Sequence, residues 1–163
     1  MRKDVRGLDP TKGRWKQRWI RSQQVLKDLL DQVRSEEVDW RPDDGIESIR
    51  DHLWSIAVSE RWLTIRLTKG TLAPVDRNWR AEEVPFAEIV RMLEICQKNL
   101  TTWFDDGAPV QESDAESSTV GESRGLTVDD LLYHHLEQKA AQTASIRSLV
   151  HLIDPSRRAA LLS

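Results

Sequence analysis

Residues 127–153 read TVDDLLYHHLEQKAAQTASIRSLVHLI, with apolar side chains returning every three or four positions. That period is the signature of an amphipathic helix. The start is marked by Thr127 with Asp130 three residues later. In such a capping box the hydroxyl accepts an orphan backbone N–H and the acid reaches back. Pro155 disfavours helix in the residue before it, so the helix ends near Ile153. Two adjacent histidines, His134 and His135, give the stretch the look of a metal motif that does not finish. One and two turns further on stand Gln138 and Gln142. Glu137 and Lys139 are read as a solvated face. His151 lies near the C-terminal end, where a cation complements the helix dipole.

Three other stretches carry the same period. Residues 11–34 repeat Trp15, Trp19, Leu26, Leu29, Leu30 and Val33. Residues 49–69 follow a second capping box, Ser48 with Asp51, and stop near Gly70. Their apolar residues lie almost all round, which predicts a largely buried helix. Residues 85–104, with Pro85 as first helical residue, repeat Phe86, Ile89, Val90, Leu93, Cys96, Leu100, Trp103 and Phe104. Cys96 falls on this core face and reads as a small buried hydrophobe. The connection over about 105–126 is acidic, rich in small residues and without period. It is expected to be mobile. No segment alternates as a strand does. Four long amphipathic helices predict an all-α four-helix bundle forming one domain over 1–163.

The chain has 163 residues, 31% of them charged and 39% hydrophobic, a globular rather than disordered balance. A net charge of -3 argues against a nucleic-acid footprint, which needs a basic excess. No apolar run is long enough to span a bilayer, and no signal peptide is visible. One cysteine excludes an internal disulfide, and a reducing cytoplasm is the expected location. Seven tryptophans stand against one Tyr and two Phe, and most of the seven are read as core packing.

Within 49–69, His52, Ser55 and Ser59 share a narrow polar stripe. On the last helix, Leu131, His135, Gln138, Gln142 and Leu149 form another, with His134 beside it. If the two stripes face each other, Ser55, Gln138 and Gln142 line a polar pocket, with His52, Ser59, Glu60, His134 and His135 nearby. No nucleophile triad is legible. Ser55 and Ser59 have His52 near in sequence, but an adjacent helical turn rarely gives attack geometry.

WRPDDGIESIRDHLWSIAVSERWL (40–63) and LLYHHLEQKAAQTASIRSL (131–149) resemble the two signature segments of the DinB/YfiT-like superfamily. The first is similar to H-I-A-x-x-E-x-W-L, matched by Glu60 and Leu63. The second is similar to H-x-L-E-H-E-A-x-H-R-G-Q-I, matched by His134, Leu136, Glu137, Ala140 and Ile146. The resemblance implies a four-helix bundle of down-up-up-down topology, often a homodimer. It also implies a three-histidine divalent metal site, which in some members activates bacillithiol, mycothiol or glutathione. This chain departs from the pattern at the ligands themselves, where Ser55, Gln138 and Gln142 stand in place of the three histidines. Thr143 and Ala144 replace the pattern's Arg and Gly.

Imidazole binds zinc and nickel strongly, whereas a glutamine amide oxygen is a hard, weak donor and a neutral serine is poor. The expected protein therefore has a degenerate, metal-free site and no cofactor. It acts as a small-molecule or partner-binding module, without nucleic-acid or membrane partners. The alternative is a divalent-metal thiol S-transferase using Zn or Ni on relocated ligands, His52, His134 and Glu60. A third possibility is a structural or regulatory homodimer with tryptophan anchors.

Overall fold

The computed structural model describes residues 10–68, 83–106 and 127–157. Among the described residues four helices make up the fold: α1 (Pro10–Leu30), α2 (Ile49–Thr68), α3 (Phe86–Asp106) and α4 (Val128–Ile153). Single 3-10 turns lie at Ser35–Glu37 and Pro155–Arg157. Among the described residues there is no strand, and the architecture is an all-α four-helix bundle. Helix α2 packs against α3 and α4, while α1 packs against α4 and α3. Helices α1 and α2 thus face each other across the bundle, as do α3 and α4. Of the connection expected to be mobile, 107–126 lies outside the described residues.

The helix boundaries follow local chemistry. Both capping boxes form. Asp51 N–H donates to Ser48 Oγ at 3.2 Å, and Ser48 N–H donates to Asp51 Oδ2 at 2.8 Å. Asp130 N–H donates to Thr127 Oγ1 at 3.1 Å, and Thr127 N–H returns to Asp130 Oδ2 at 2.9 Å. Ser48 is buried, so nothing replaces its oxygen if it is removed. Ser48→Ala is expected to destabilise the fold by about 1 kcal/mol. An unchanged urea midpoint would show that this cap contributes nothing.

Helix bounds differ from the sequence reading by up to four residues, and α3 runs to Asp106 rather than 104, so the first two residues of the connection expected over 105–126 are helical. Helix α1 stops at Leu30, not Arg34, because i→i+3 bonds take over: Gln32 N–H to Leu29 O and Val33 N–H to Leu30 O, both 3.1 Å. The apolar period runs on because Val33 still packs against the core from the turn. Pro85 is not helical itself but sits one step outside α3, its carbonyl accepting the Ile89 N–H at 3.2 Å.

Among the described residues the core has two apolar clusters. One gathers Leu26, Leu29, Ile49, Leu53, Ile56, Ala57, Ile89, Leu93, Ile146 and Leu149. The other gathers Trp19, Leu63, Leu67, Leu100, Trp103, Phe104, Leu131, Leu132 and Leu136. Between them in sequence on α1, α2 and α4 lie the buried polar residues Gln23, Glu60, Lys139 and Thr143, with buried Thr64 and His135 within about a turn of them. A polar layer therefore divides the apolar interior. Thr64 and Thr143 satisfy their hydroxyls on the carbonyls one turn back, Glu60 O and Lys139 O, each at 2.7 Å.

Two expectations about burial need correction. Of the six tryptophans in the described residues, only Trp19 and Trp103 are buried. Trp15 and Trp54 are half-buried, and Trp40 and Trp62 are exposed; Trp79 lies outside the described residues. The indole is large and seldom fits wholly inside a small bundle. Nor is α2 buried all round, because α3, α4 and the opposite α1 leave one side uncovered. Val58 and Trp62 are 41% and 44% exposed there, so an apolar strip of α2 faces outward.

Candidate functional site

That uncovered strip of α2 forms one wall of a groove of about 860 Å³, and α4 forms the other. Trp54, Val58, Trp62 and Leu131 supply its apolar surface. Ser55, Ser59, His134, His135 and Gln138 supply polar groups, and Glu47 and Asp51 lie at its edge. The two polar stripes read from the sequence therefore do meet. Ser55 and Gln138 share the groove with Ser59, His134 and His135. Gln142 is not in its lining. Instead its Oε1 lies 2.5 Å from His52 Nδ1, which also has Glu47 Oε2 at 3.4 Å.

Glu60 lies behind this groove, fully buried in the polar layer. Three side chains converge on its carboxylate. Lys139 Nζ donates to Oε2 at 2.8 Å, His135 Nε2 lies 3.2 Å from the same oxygen, and Gln23 Nε2 donates to Oε1 at 2.7 Å. Lys139 is 1% exposed. The solvated-face reading of Lys139 is thus wrong, although its neighbour Glu137 is exposed as expected. Two steps along the helix turn a side chain by about 200°, which takes 139 from the exposed side of 137 to the bundle axis. Burial pushes a carboxyl toward its neutral form, but the Lys139 ammonium and the His135 imidazole outweigh it and bring Glu60 down to about 2.

The geometry also joins residues that lie far apart in the chain. Ser59 Oγ lies 3.0 Å from His135 Nδ1 and 3.3 Å from Gln138 Oε1. A chain of contacts thus runs from the groove wall inward: Ser59, His135, Glu60, Lys139. The sequence offers Ser59 a histidine on its own helix, His52. The actual partner is 76 residues away. The available signal is the placement of Glu60 on an apolar helix, since a buried carboxylate requires partners from facing helices.

The three positions that the resemblance assigns to metal ligands do not fit a divalent transition metal. They hold one serine and two amides, and Gln142 is already engaged by His52. The relocated set fares no better. Glu60 is taken by three donors, and His52 turns its Nδ1 to Gln142. His134 is exposed, with its ring edge-on to Tyr133. Among the described residues no three His, Cys, Asp or Glu side chains form a group able to hold a metal ion. Cys96 is buried as read, and burial pushes its thiol up to about 11, which makes it a poor nucleophile. No described helix is long and apolar enough to cross a membrane.

The sequence profile described as the DinB superfamily matches residues 18–139, spanning α2, α3 and most of α1. No curated protein and no solved structure matches the chain.

Proposed function

From the premise that this chain belongs to the DinB superfamily, we propose that it is a metal-independent member that binds a small organic molecule in the groove between α2 and α4. The observation that carries this reading is the groove itself. Its volume of about 860 Å³ lies within the range of small-molecule sites, roughly 300–1,000 Å³. Its lining has the usual character of such sites, apolar walls with a few converging polar groups. Trp54, Val58 and Trp62 hold the ligand's apolar body; Ser55, Gln138 and His134 orient its polar end. The donor chemistry at Ser55, Gln138 and Gln142 supports binding without an ion. Histidine-to-glutamine replacement keeps side-chain size and hydrogen bonding while removing the strong ligand.

Two measurements test this. Elemental analysis of protein purified without chelator is expected to find no stoichiometric transition metal. Stoichiometric Zn or Ni, lost on His52→Ala or His134→Ala, would instead establish the metal-dependent thiol S-transferase alternative. Thermal-shift screening of a small-molecule library is expected to yield ligands whose affinity falls at least about tenfold, roughly 1.4 kcal/mol, in Trp62→Ala. Hits insensitive to Trp62→Ala and Gln138→Ala would place binding elsewhere.

A homodimer is the second reading, favoured by the exposed Val58 and Trp62 on α2 and the exposed Trp40. It predicts a dimer by light scattering that Trp62→Glu dissociates. We place either form in a reducing cytoplasm, consistent with the single buried Cys96.

A further inference from the structure

We propose that the groove carries an acyl-transfer centre in which Ser59 is the nucleophile, His135 its general base and Glu60 the residue that positions the imidazole. This rests on the groove being the ligand site, and it names the ligand class as a small carboxylic ester. Ser59 and His135 both line the groove. Ser59 Oγ is 3.0 Å from His135 Nδ1, and His135 Nε2 is 3.2 Å from Glu60 Oε2. Nucleophile, base and orienting carboxylate therefore stand in hydrogen-bond series, as in the serine triads of unrelated folds but with the two imidazole nitrogens exchanged.

The placement of protons assigns the roles. Lys139 and Gln23 keep Glu60 ionised and acceptor-only. His135 Nε2 must then carry a hydrogen, so in the neutral ring Nδ1 is a bare acceptor. The single Ser59 hydroxyl hydrogen points to Nδ1, the nearer of its two acceptors. It has none left for Gln138 Oε1, and a half-turn of the Gln138 amide, which exchanges oxygen for nitrogen at the same distance, lets that side chain donate to Ser59 instead. That places a donor beside the nucleophile, where an oxyanion develops. Backbone N–H groups in the middle of α2 and α4 are spent on their own helices, so a side chain must supply the donor, and Gln138 is the groove residue held against Ser59 Oγ.

The step balances with water as the only co-reactant. Ser59 Oγ attacks the ester carbonyl carbon, and its proton passes to His135 Nδ1. The carbon–alkoxide bond breaks, and the alkoxide leaves as the alcohol with that proton. Water then attacks the acyl-serine and gives a proton to Nδ1. Ser59 Oγ leaves with it, and the acid is released.

Diisopropyl fluorophosphate is the probe, because it phosphorylates activated serines without needing the natural ester. The full chain is expected to gain one phosphoryl adduct, mapped by peptide mass to Ser59, and Ser59→Ala to gain none. His135→Gln is expected to slow labelling by about 100-fold or more, the usual contribution of a general base. Should His135→Gln fail to fold, Gln138→Leu tests the exposed donor without touching the core, and about a tenfold slowing of 4-nitrophenyl acetate hydrolysis is expected.

Glu60→Gln tests positioning. His135 contacts the Glu60 carboxylate of α2, which Lys139 of α4 shares; α1 brings the neutral Gln23 to the same carboxylate, and α3 brings the buried Cys96 thiol within the field of Glu60, Lys139 and Arg61. Removing the carboxylate charge leaves Lys139 to oppose protonation of the imidazole, so the labelling pH profile should move to lower pH. A structural role alone would not move it. No adduct at Ser59 in folded protein, or labelling indifferent to His135→Gln together with ester hydrolysis indifferent to Gln138→Leu, overturns the proposal. Thermal-shift ligands sensitive to Trp62→Ala would survive that outcome, so the two readings fail separately.

Discussion

Replacing Lys139 with methionine is expected to destabilise the bundle by about 3–5 kcal/mol. The substitution keeps the length and apolar stem of the side chain but strands the Glu60 carboxylate. Glu60 has no exposure to water, and its remaining partners, Gln23 and His135, are not fixed charges. For a domain of this size the loss corresponds to a melting temperature lower by on the order of 10 °C. Adding Glu60→Leu should recover most of it, since the residues then left unpaired are neutral. An ion pair in a dry interior is costly to break and much less costly to replace as a whole. Circular dichroism of the two variants decides the matter. A double variant no more stable than Lys139→Met alone would show that Lys139 acts through packing rather than charge.

The stability of the wild-type bundle is expected to drop steeply with acid, and Glu60 accounts for a defined share. Its carboxyl titrates at about 2 in the folded protein, against an ordinary value of 4.5. A depressed folded value means that the charged form is the one the fold stabilises. The contribution is therefore complete above pH 4.5 and disappears as pH falls through 2. That lowering corresponds to roughly 3 kcal/mol. Other carboxylates share the acid limb, among them Asp39, held low by Arg50. The diagnostic quantity is accordingly the difference between wild type and Glu60→Gln. Urea midpoints should differ most near neutral pH and converge between pH 4.5 and 2. Parallel curves over that window would contradict the assignment.

Much of the candidate site is legible in the amino-acid sequence. The alignment of polar residues on α2 and α4 puts Ser55, Ser59, His134, His135 and Gln138 on facing stripes, and all five line the groove. Gln142 belongs to the same stripe but not to the groove, because the stripe turns away there and His52 takes its amide. Lys139 defeats the sequence reading for a related reason. Long charged residues on a mostly polar stretch of helix are usually solvated, and only the carboxylate from a distant helix makes its burial tolerable. The apolar strip of α2 has the composition of core, yet Val58 and Trp62 are left outside. Hydropathy records that a surface is apolar, not whether a neighbour covers it.

What the chain determined alone is local. Helical period, the Ser48–Asp51 and Thr127–Asp130 caps and the break at Pro155 depend on residues within a turn or so of each other. The four helices and their main apolar faces follow from them. The tertiary structure decided which polar groups meet inside. Glu60 finds His135 and Lys139 at separations of 75 and 79 residues, and Ser59 finds His135 in the same layer. Such contacts depend on the order and rotation of packed helices. Periodicity defines the face of each helix but not which faces are opposed, so the buried charge layer and the groove beside it emerge only when the bundle is assembled.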